Sequence, residues 1–274
     1  MAYKRILTIQ DISCVGQCSM TVALPILSAC GHETSILPTA LLSTHTGGFG
    51  KPVIIHFDEA LPRMWRHWQG CGIAFDAILV GYLGSVSAVE TAGEILENLL
   101  APGGIGIVDP VMGDNGKLYS GFDESYVQAM KKLCGKAQII LPNLTEAALL
   151  GGGEYQEAPT EQEAGKLITQ LENTCVILTG VGYAPGETGV LVRDGDCLRH
   201  YSHRRIGKSY HGTGDIFAAC FTGAFMQGQE LFLAVKTAAD FTCKSIETTQ
   251  RDPAPWYGVR FEPNLPMLGR LFGE

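Results

Sequence analysis

Short apolar runs alternate with longer amphipathic ones along almost the whole chain, and this alternation restricts the fold to one class. Arg5–Gln10, Thr34–Leu37, Ala77–Gly81, Ile105–Val108, Gln138–Leu141 and Val176–Leu178 read as buried strands. Between them, helical spacing runs over Gln17–Ala29, where Val22, Ile26 and Ala29 share a face, and over Asp58–Gln69. Ser85–Leu100 follows, with Ser85 as N-cap and Pro102 just past its end. Further helices are expected at Glu124–Leu133, Leu144–Leu150, Thr160–Glu172, Asp215–Met226 and Glu230–Thr249, before a Pro-rich tail. Gly189–Arg193 and Cys197–His203 read as a hairpin. Such alternation predicts an α/β fold, a mostly parallel sheet covered on both faces, with ligands bound beyond the carboxyl ends of the strands. The residues to watch are therefore Asp11, Gly81-Tyr82, Asp109, Asn143 and Thr179-Gly180. Pro38–Pro52, polar and Gly-rich, breaks the pattern and reads as a loop or small flap at the mouth of the site.

At 274 residues the chain can bury a large core without a disulfide framework or structural metal, and it is read as one domain over 1–274. The formal net charge of -8 disfavours a nucleic-acid partner, because phosphate neutralisation needs a basic face. A small anion held by backbone amides remains compatible with it. Glycine is in excess, 34 residues where the average of about 7 % would give about 19, as tight strand–helix turns require. The 9 cysteines are odd in number, contain no CxxC pair and partly sit in apolar runs, so they read as reduced thiols in a cytoplasmic protein. Ile6–Ile9 is too short for the core of a signal peptide, and no apolar run approaches a membrane span.

The sharpest constellation is His211-Gly212-Thr213-Gly214-Asp215, directly before the apolar face of Phe217, Phe221 and Ala224. Two glycines flank a hydroxyl residue at a helix start, where free N–H groups and the helix dipole suit an anionic oxygen. Asp215 either complements the dipole or takes a proton from an attacking hydroxyl. Asp109, after a buried strand, either starts the turn at Pro110 or holds a magnesium ion through water. Asn143 and Glu146 either form a capping box or stand near a nucleotide phosphate and the magnesium water shell. His200 and His203 read as half-exposed strand residues, and Met64, Trp65 and Trp68 as packing. GxxxxGK[ST], a GxGxxG after the first strand, and GxSxG are all missing from the sequence. P-loop NTPases, nicotinamide dehydrogenases and α/β-hydrolases are thereby disfavoured.

Together, Leu7–Asp11, Ser43–Gly50, Gly81-Tyr82-Leu83-Gly84-Ser85, Asp109–Asp114, Pro142–Glu146 and Gly212–Asp215 resemble the ribokinase-like small-molecule kinases. Within them the match is to the pyridoxal (vitamin B6) kinases, over nearly the whole chain from Ile9-Gln10 to Phe241. The Gly212–Asp215 motif is shared by many sugar and nucleoside kinases; Gly81–Ser85 with Asp109–Asp114 is more specific. The resemblance implies a three-layer α/β/α kinase that phosphorylates the 5′-hydroxymethyl group of pyridoxal, pyridoxine or pyridoxamine with Mg-ATP. It implies that Asp215 is the catalytic base and that Gly212, Thr213 and Gly214 form the anion hole. Asp109 and Glu146 would organise the metal, and Asn143, Thr179 and Gly180 would line ATP. Asp11, Ser13, Thr46, Gly47 and Tyr82 would face the pyridine substrate. It also implies a homodimer and a monovalent cation, K+, beside magnesium. The chain departs from the family where Asp11-Ile12 replaces the usual Ser-His pair and where Thr179–Pro185 lacks a lysine.

Two rival readings share the fold. Hydroxymethylpyrimidine kinases usually carry a Gly-Ser-Asp-Ser-Gly-Gly-like stretch after the first strand, and Gln10–Gly16 fits it poorly. A non-catalytic vitamin or nucleotide sensor would be expected to lose the base, yet Asp215 and both glycines remain.

Overall fold

Successive side chains of a strand point to opposite faces, so a strand covered on both sides must be apolar at every position. That is why the expected strands read as unbroken runs. Leu7, Ile78, Val80, Val108, Ile140 and Val176 enter one core, and their neighbours Ile6, Ala77, Leu79, Ile107, Ile139 and Ile177 enter the other. The computed structural model describes residues 3–173, 175–207, 210–251 and 256–272. The elements in chain order are β1 (Arg5–Ser13), α1 (Met20–Ala29), β2 (Glu33–Leu42), β3 (Ile54–His56), α2 (Leu61–Gly70), β4 (Phe75–Val80) and α3 (Val86–Leu99). Next come β5 (Leu100–Val108), β6 (Gly113–Asp114), β7 (Lys117–Leu118), α4 (Glu124–Cys134), β8 (Ile139–Ile140), α5 (Leu144–Gly151) and α6 (Glu161–Thr169). The chain closes with β9 (Cys175–Thr179), β10 (Glu187–Asp194), β11 (Cys197–Arg204), α7 (Thr213–Met226), α8 (Leu231–Arg251) and α9 (Leu265–Phe272).

Among the described residues a 9-stranded sheet runs in the order β11-β10-β9-β8-β5-β4-β1-β2-β3. The strands from β9 to β2 are parallel; β3 at one edge and β10 and β11 at the other are antiparallel. Helices α2 to α6 pack on one face, and α1, α7, α8 and α9 on the other. This is the α/β/α architecture expected from the sequence.

Several boundaries differ from expectation for identifiable reasons. β1 continues past Gln10 to Ser13, with a register shift between Gln10 and Ile12 that places Asp11 at a bulge. α1 starts at Met20 rather than Gln17, leaving residues 14–19 as a loop. β2 extends to Leu42, so the first third of Pro38–Pro52 is strand and only residues 43–52 form the flap; β3 then pairs with Ala40–Leu42. Pro38 is tolerated where β2 nears the sheet edge. β5 begins at Leu100 and takes in Pro102. The β6–β7 hairpin turns at Asn115-Gly116, both with positive φ, as an Asn-Gly turn requires. The end of the chain is a 3-10 turn at Glu262–Asn264 followed by α9 rather than a plain tail; Pro253 and Pro255 lie outside the described residues. Trp65 is buried and Trp68 packs on the core, but Met64 is exposed.

Candidate active site

Five neighbouring parallel strands, β9, β8, β5, β4 and β1, deliver their carboxyl ends to one edge of the sheet. Thr179 ends β9, Asn143 follows β8, Asp109 follows β5, Tyr82 follows β4, and Asp11 and Ser13 end β1. The N-terminus of α7 reaches this edge from the second layer. A Cβ added at Gly214 would stand 3.9 Å from Asp109 Oδ2, so the Asp109 carboxylate faces the first turn of α7.

The start of α7 is built on a glycine that nothing else replaces. Gly212 is its N-cap at φ 83°, in the left-handed region, and a Cβ there would lie 1.9 Å from the Gln17 carbonyl oxygen. No side chain caps the helix, so its first N–H groups have no intrahelical partner and point outward. Thr213 Oγ1 donates to the Tyr210 carbonyl at 3.3 Å and so does not cap the helix. Asp215 stands in the same turn.

Burial dominates the electrostatics of the carboxylates. It pushes the Asp215 carboxyl up to about 7, with the charge of Asp11 adding to the rise and the Ser19 N–H opposing it. Asp109 is held well above the ordinary carboxylate range by burial and then by the charges of Glu146 and Asp215. Among the described residues, every charged neighbour that shifts Asp109, Glu146 and Asp215 is itself acidic. The Tyr119 phenol stands among the same charges and is raised by burial and by Glu146, Asp114, Asp109 and Asp215.

On the β8–β9 side, the capping-box reading of Asn143 and Glu146 is what the structure shows. Asn143 Oδ1 accepts the Glu146 N–H and Glu146 Oε2 accepts the Asn143 N–H, each at 2.9 Å. Glu146 Oε1 also accepts the Met112 N–H at 3.2 Å, and the Asn143 amide donates to the Gly113 carbonyl at 2.9 Å. Glu146 is thus buried, with its carboxyl pushed up to about 8 by burial, and it fixes the Asp109–Asp114 turn from behind. Thr179 bridges to Asn143, and Gly180 follows it at φ 82°.

On the β1 side, Asp11 is buried and accepts from Ser13 Oγ at 3.0 Å. Its charge raises the Tyr82 phenol after burial does, so Tyr82 and Asp11 face the same space. The flap closes over this side through aromatic contacts at bare glycines. His45 Nδ1 accepts the Gly47 N–H at 2.9 Å, and its Nε2 lies 2.7 Å from the Tyr257 carbonyl. A Cβ at Gly47 would meet the His211 ring at 2.6 Å. Thr46 is exposed beside it. Sequence reasoning does not single out His45, Tyr119 or Ser19 as site residues. Cys18 lies close enough to feel the charges of both Asp11 and Asp215, and burial raises its thiol out of reach of ionisation near neutral pH. His45 lies in the flap, Cys18 and Ser19 in the loop after β1, and Tyr119 just after β7, places that local pattern does not mark. His200 and His203 lie on β11, as expected, with His200 Nε2 at 3.1 Å from the Val181 carbonyl.

The sequence pattern of the phosphomethylpyrimidine kinase family matches residues 70–255, more than half of the chain. The chain belongs to this family. It is a kinase acting on a hydroxyl group, with the ribokinase-like fold that the six segments together imply. A pyridoxal kinase of Lactobacillus plantarum is 35% identical, superposes with a TM-score of 0.90, and is covered over 98% of both chains. A structure from Bacteroides thetaiotaomicron named as a phosphomethylpyrimidine kinase, in a crystal form with pyridoxal, is 32% identical with a TM-score of 0.89, over 97% of this chain and 96% of that one. The pyridoxine/pyridoxal/pyridoxamine kinase of Bordetella avium is 28% identical over 94% of this chain and 93% of its own length. No described helix is long and apolar enough to cross a membrane.

Proposed function

We propose that this chain is an ATP-dependent kinase of vitamin B6 that transfers the γ-phosphoryl group to the 5′-hydroxymethyl group of pyridoxal, pyridoxine or pyridoxamine. The observation that carries the reading is Asp215, a carboxyl raised to about 7 in the first turn of an uncapped helix. Phosphoryl transfer asks a protein for positioning and charge stabilisation more than for covalent chemistry. Asp215, with a proton affinity near neutrality, takes the hydroxyl proton as the vitamer oxygen bonds to phosphorus and the bond to the ADP oxygen breaks. The N–H groups of Gly212, Thr213 and Gly214 hold the oxygens of the phosphoryl group in passage. Asn143, Thr179 and Gly180 line the nucleotide. Asp11, Ser13 and Tyr82, under the flap residues Thr46 and Gly47, surround the pyridine ring.

The donor set suits magnesium. Asp109, Glu146 and Asp215 raise one another's proton affinity or share acidic neighbours, a field that a divalent cation relieves. Among the described residues no three such groups stand close enough to hold a metal directly, which fits an ion that keeps most of its water. Asp109 would hold it through water, while Glu146, spent on backbone N–H groups, acts from behind. When bound, magnesium supplies neutralisation of the phosphate charge. The 9 free cysteines suit a cytoplasmic setting, and the exposed apolar edge of Val53, Ile54 and Ile55 suits the homodimer.

Hydroxymethylpyrimidine is the second reading, favoured by the family's own name. ADP release coupled to an indicator reaction separates the two. The expected result is magnesium-dependent turnover with the three B6 vitamers, lost on chelation, at a kcat/KM well above that for hydroxymethylpyrimidine. The reverse order of substrates would replace the B6 reading.

Asp11 gives a sharper expectation about which vitamer is preferred. An aldehyde oxygen facing a carboxylate leaves two acceptors unpaired, whereas the pyridoxamine ammonium and the pyridoxine hydroxyl both donate. Leaving a buried polar group unpaired costs about 1–3 kcal/mol, tenfold or more in preference. Wild type should therefore use pyridoxamine or pyridoxine better than pyridoxal, and Asp11→Ser should move the kcat/KM ratio toward pyridoxal. Identical ratios in the two proteins would remove Asp11 from vitamer choice.

A further inference from the structure

His45 is buried in the flap, and both of its ring nitrogens are engaged. Nδ1 lies 2.9 Å from the Gly47 backbone nitrogen, and Nε2 lies 2.7 Å from the Tyr257 carbonyl oxygen. A carbonyl only accepts, so Nε2 carries the proton; an N–H only donates, so Nδ1 is bare. The two bonds therefore select one neutral tautomer. A doubly protonated ring would set Nδ1–H against the Gly47 N–H. The His45 backbone N–H donates to the Val15 carbonyl at 3.0 Å, in the loop after β1. The ring is seated on Gly16 of the same loop, where a Cβ would stand 2.2 Å from His45 Cδ2. Phe49 meets the ring edge-on at 5.1 Å between centroids, and itself packs on Trp256 at 4.7 Å and Tyr257 at 5.6 Å. Among the described residues, the hydrogen bonds of residues 44–50 all run through His45. One side chain thus joins the flap to the loop after β1 and to residues 256–257.

We propose that His45 is a positioning residue of the kinase: its neutral ring ties Thr46 and Gly47 over the vitamer to the Tyr257 carbonyl, and proton uptake by the ring opens the flap. This rests on the reading above, in which the flap covers the pyridine substrate. The titratable neighbours of the ring are His211, from the segment before α7, at 5.1 Å between ring centroids, and Tyr257. Burial holds the imidazole below its ordinary value; the Tyr257 carbonyl opposes the fall and the His211 charge adds to it. The closed flap disfavours the proton, and by linkage the proton disfavours the closed flap.

Pyridoxine affinity, measured by calorimetry at pH 7.5 and 5.5 in wild type and in His45→Gln, tests this. Glutamine keeps a donor for the Tyr257 carbonyl, offers no second ring nitrogen to Gly47 and does not titrate. Losing one hydrogen bond costs about two- to tenfold, so the variant should bind more weakly by that factor at pH 7.5. A free histidine one unit below its pKa is protonated about tenfold over neutral. Between the two pH values wild-type affinity should therefore fall by up to about tenfold more than that of the variant. The protonation of pyridoxine itself affects both proteins alike and cancels in the ratio. Nitrogen NMR shifts of the His45 ring, read in wild type alone, decide even where the variant does not fold. They should show the neutral Nε2–H tautomer at pH 7.5 and a titration midpoint below that of an ordinary histidine. An equal fall in the two proteins, or a ring that is Nδ1–H or doubly protonated at pH 7.5, overturns the proposal and leaves the kinase reading standing. A wild-type protein that neither binds nor turns over any B6 vitamer at pH 7.5 overturns that reading, and the proposal falls with it.

Discussion

Asp215→Asn is expected to lower kcat by about 10²–10⁴-fold, the usual cost of losing a general base, while vitamer and ATP affinities stay near wild type. The amide keeps the shape, but it cannot take the hydroxyl proton. The wild-type pH profile follows from the same group. Its carboxyl titrates near 7 because burial penalises the charged form. The base is the deprotonated form, so kcat should fall as pH drops below about 7 and level off above it. Stability runs the other way. A carboxyl whose native value is raised binds its proton more tightly folded than unfolded, so stability is lost as pH rises from the unfolded value to the native one. At pH 8 the ionised Asp215 is a burden that asparagine removes, and the variant should melt higher than wild type. Calorimetric melting and single-turnover rates over pH 5.5–9 check both halves. A variant with near-normal kcat would reduce Asp215 to a complement of the helix dipole.

What the sequence made legible was whatever follows from local pattern. Ile6-Leu7 or Ile139-Ile140 can be read as doubly buried because each residue of the pair enters a different core. Ser85 and Asn143 can be read as caps because their partners, the N–H groups of Ala88 and Glu146, are three residues away. The strand-end rule then placed Asp11, Tyr82, Asp109, Asn143 and Thr179 on one edge without any knowledge of strand order. Long-range geometry was hidden. The bulge at Asp11 depends on register with β2, and the length of β2 depends on β3, whose three residues carry too little pattern to announce a strand. The Asn115-Gly116 hairpin was local and readable, yet its two-residue strands were masked by the motif around Asp109–Asp114. Ser19 falls inside the helix that the spacing predicts over Gln17–Ala29, so its left-handed backbone at the true start of α1 is hidden from the sequence. Its nearness to Asp11, 8 residues back on β1, and to Asp215 on α7 arises only in the folded chain.

Gly212→Ala carries the other large effect. At φ 83° an alanine is strained, and its Cβ would stand 1.9 Å from the Gln17 carbonyl oxygen, closer than any real contact. Both partners are backbone, so no side chain can swing aside. Either the start of α7 moves away from the strand ends or the loop around Gln17 moves. The N–H groups of the first turn then no longer converge where the phosphoryl group passes. Loss of one such donor costs about 10²–10³ in kcat in other enzymes, and Gly212→Ala is expected to lose at least that much with a lower melting temperature. Gly214→Ala is the control. A Cβ at Gly214 meets Asp109 Oδ2 at 3.9 Å, an ordinary contact, and its φ is not positive. Its N–H stays in place, so its loss should be far smaller. Equal losses in the two variants would mean that the left-handed N-cap of α7 is not what organises the phosphoryl site.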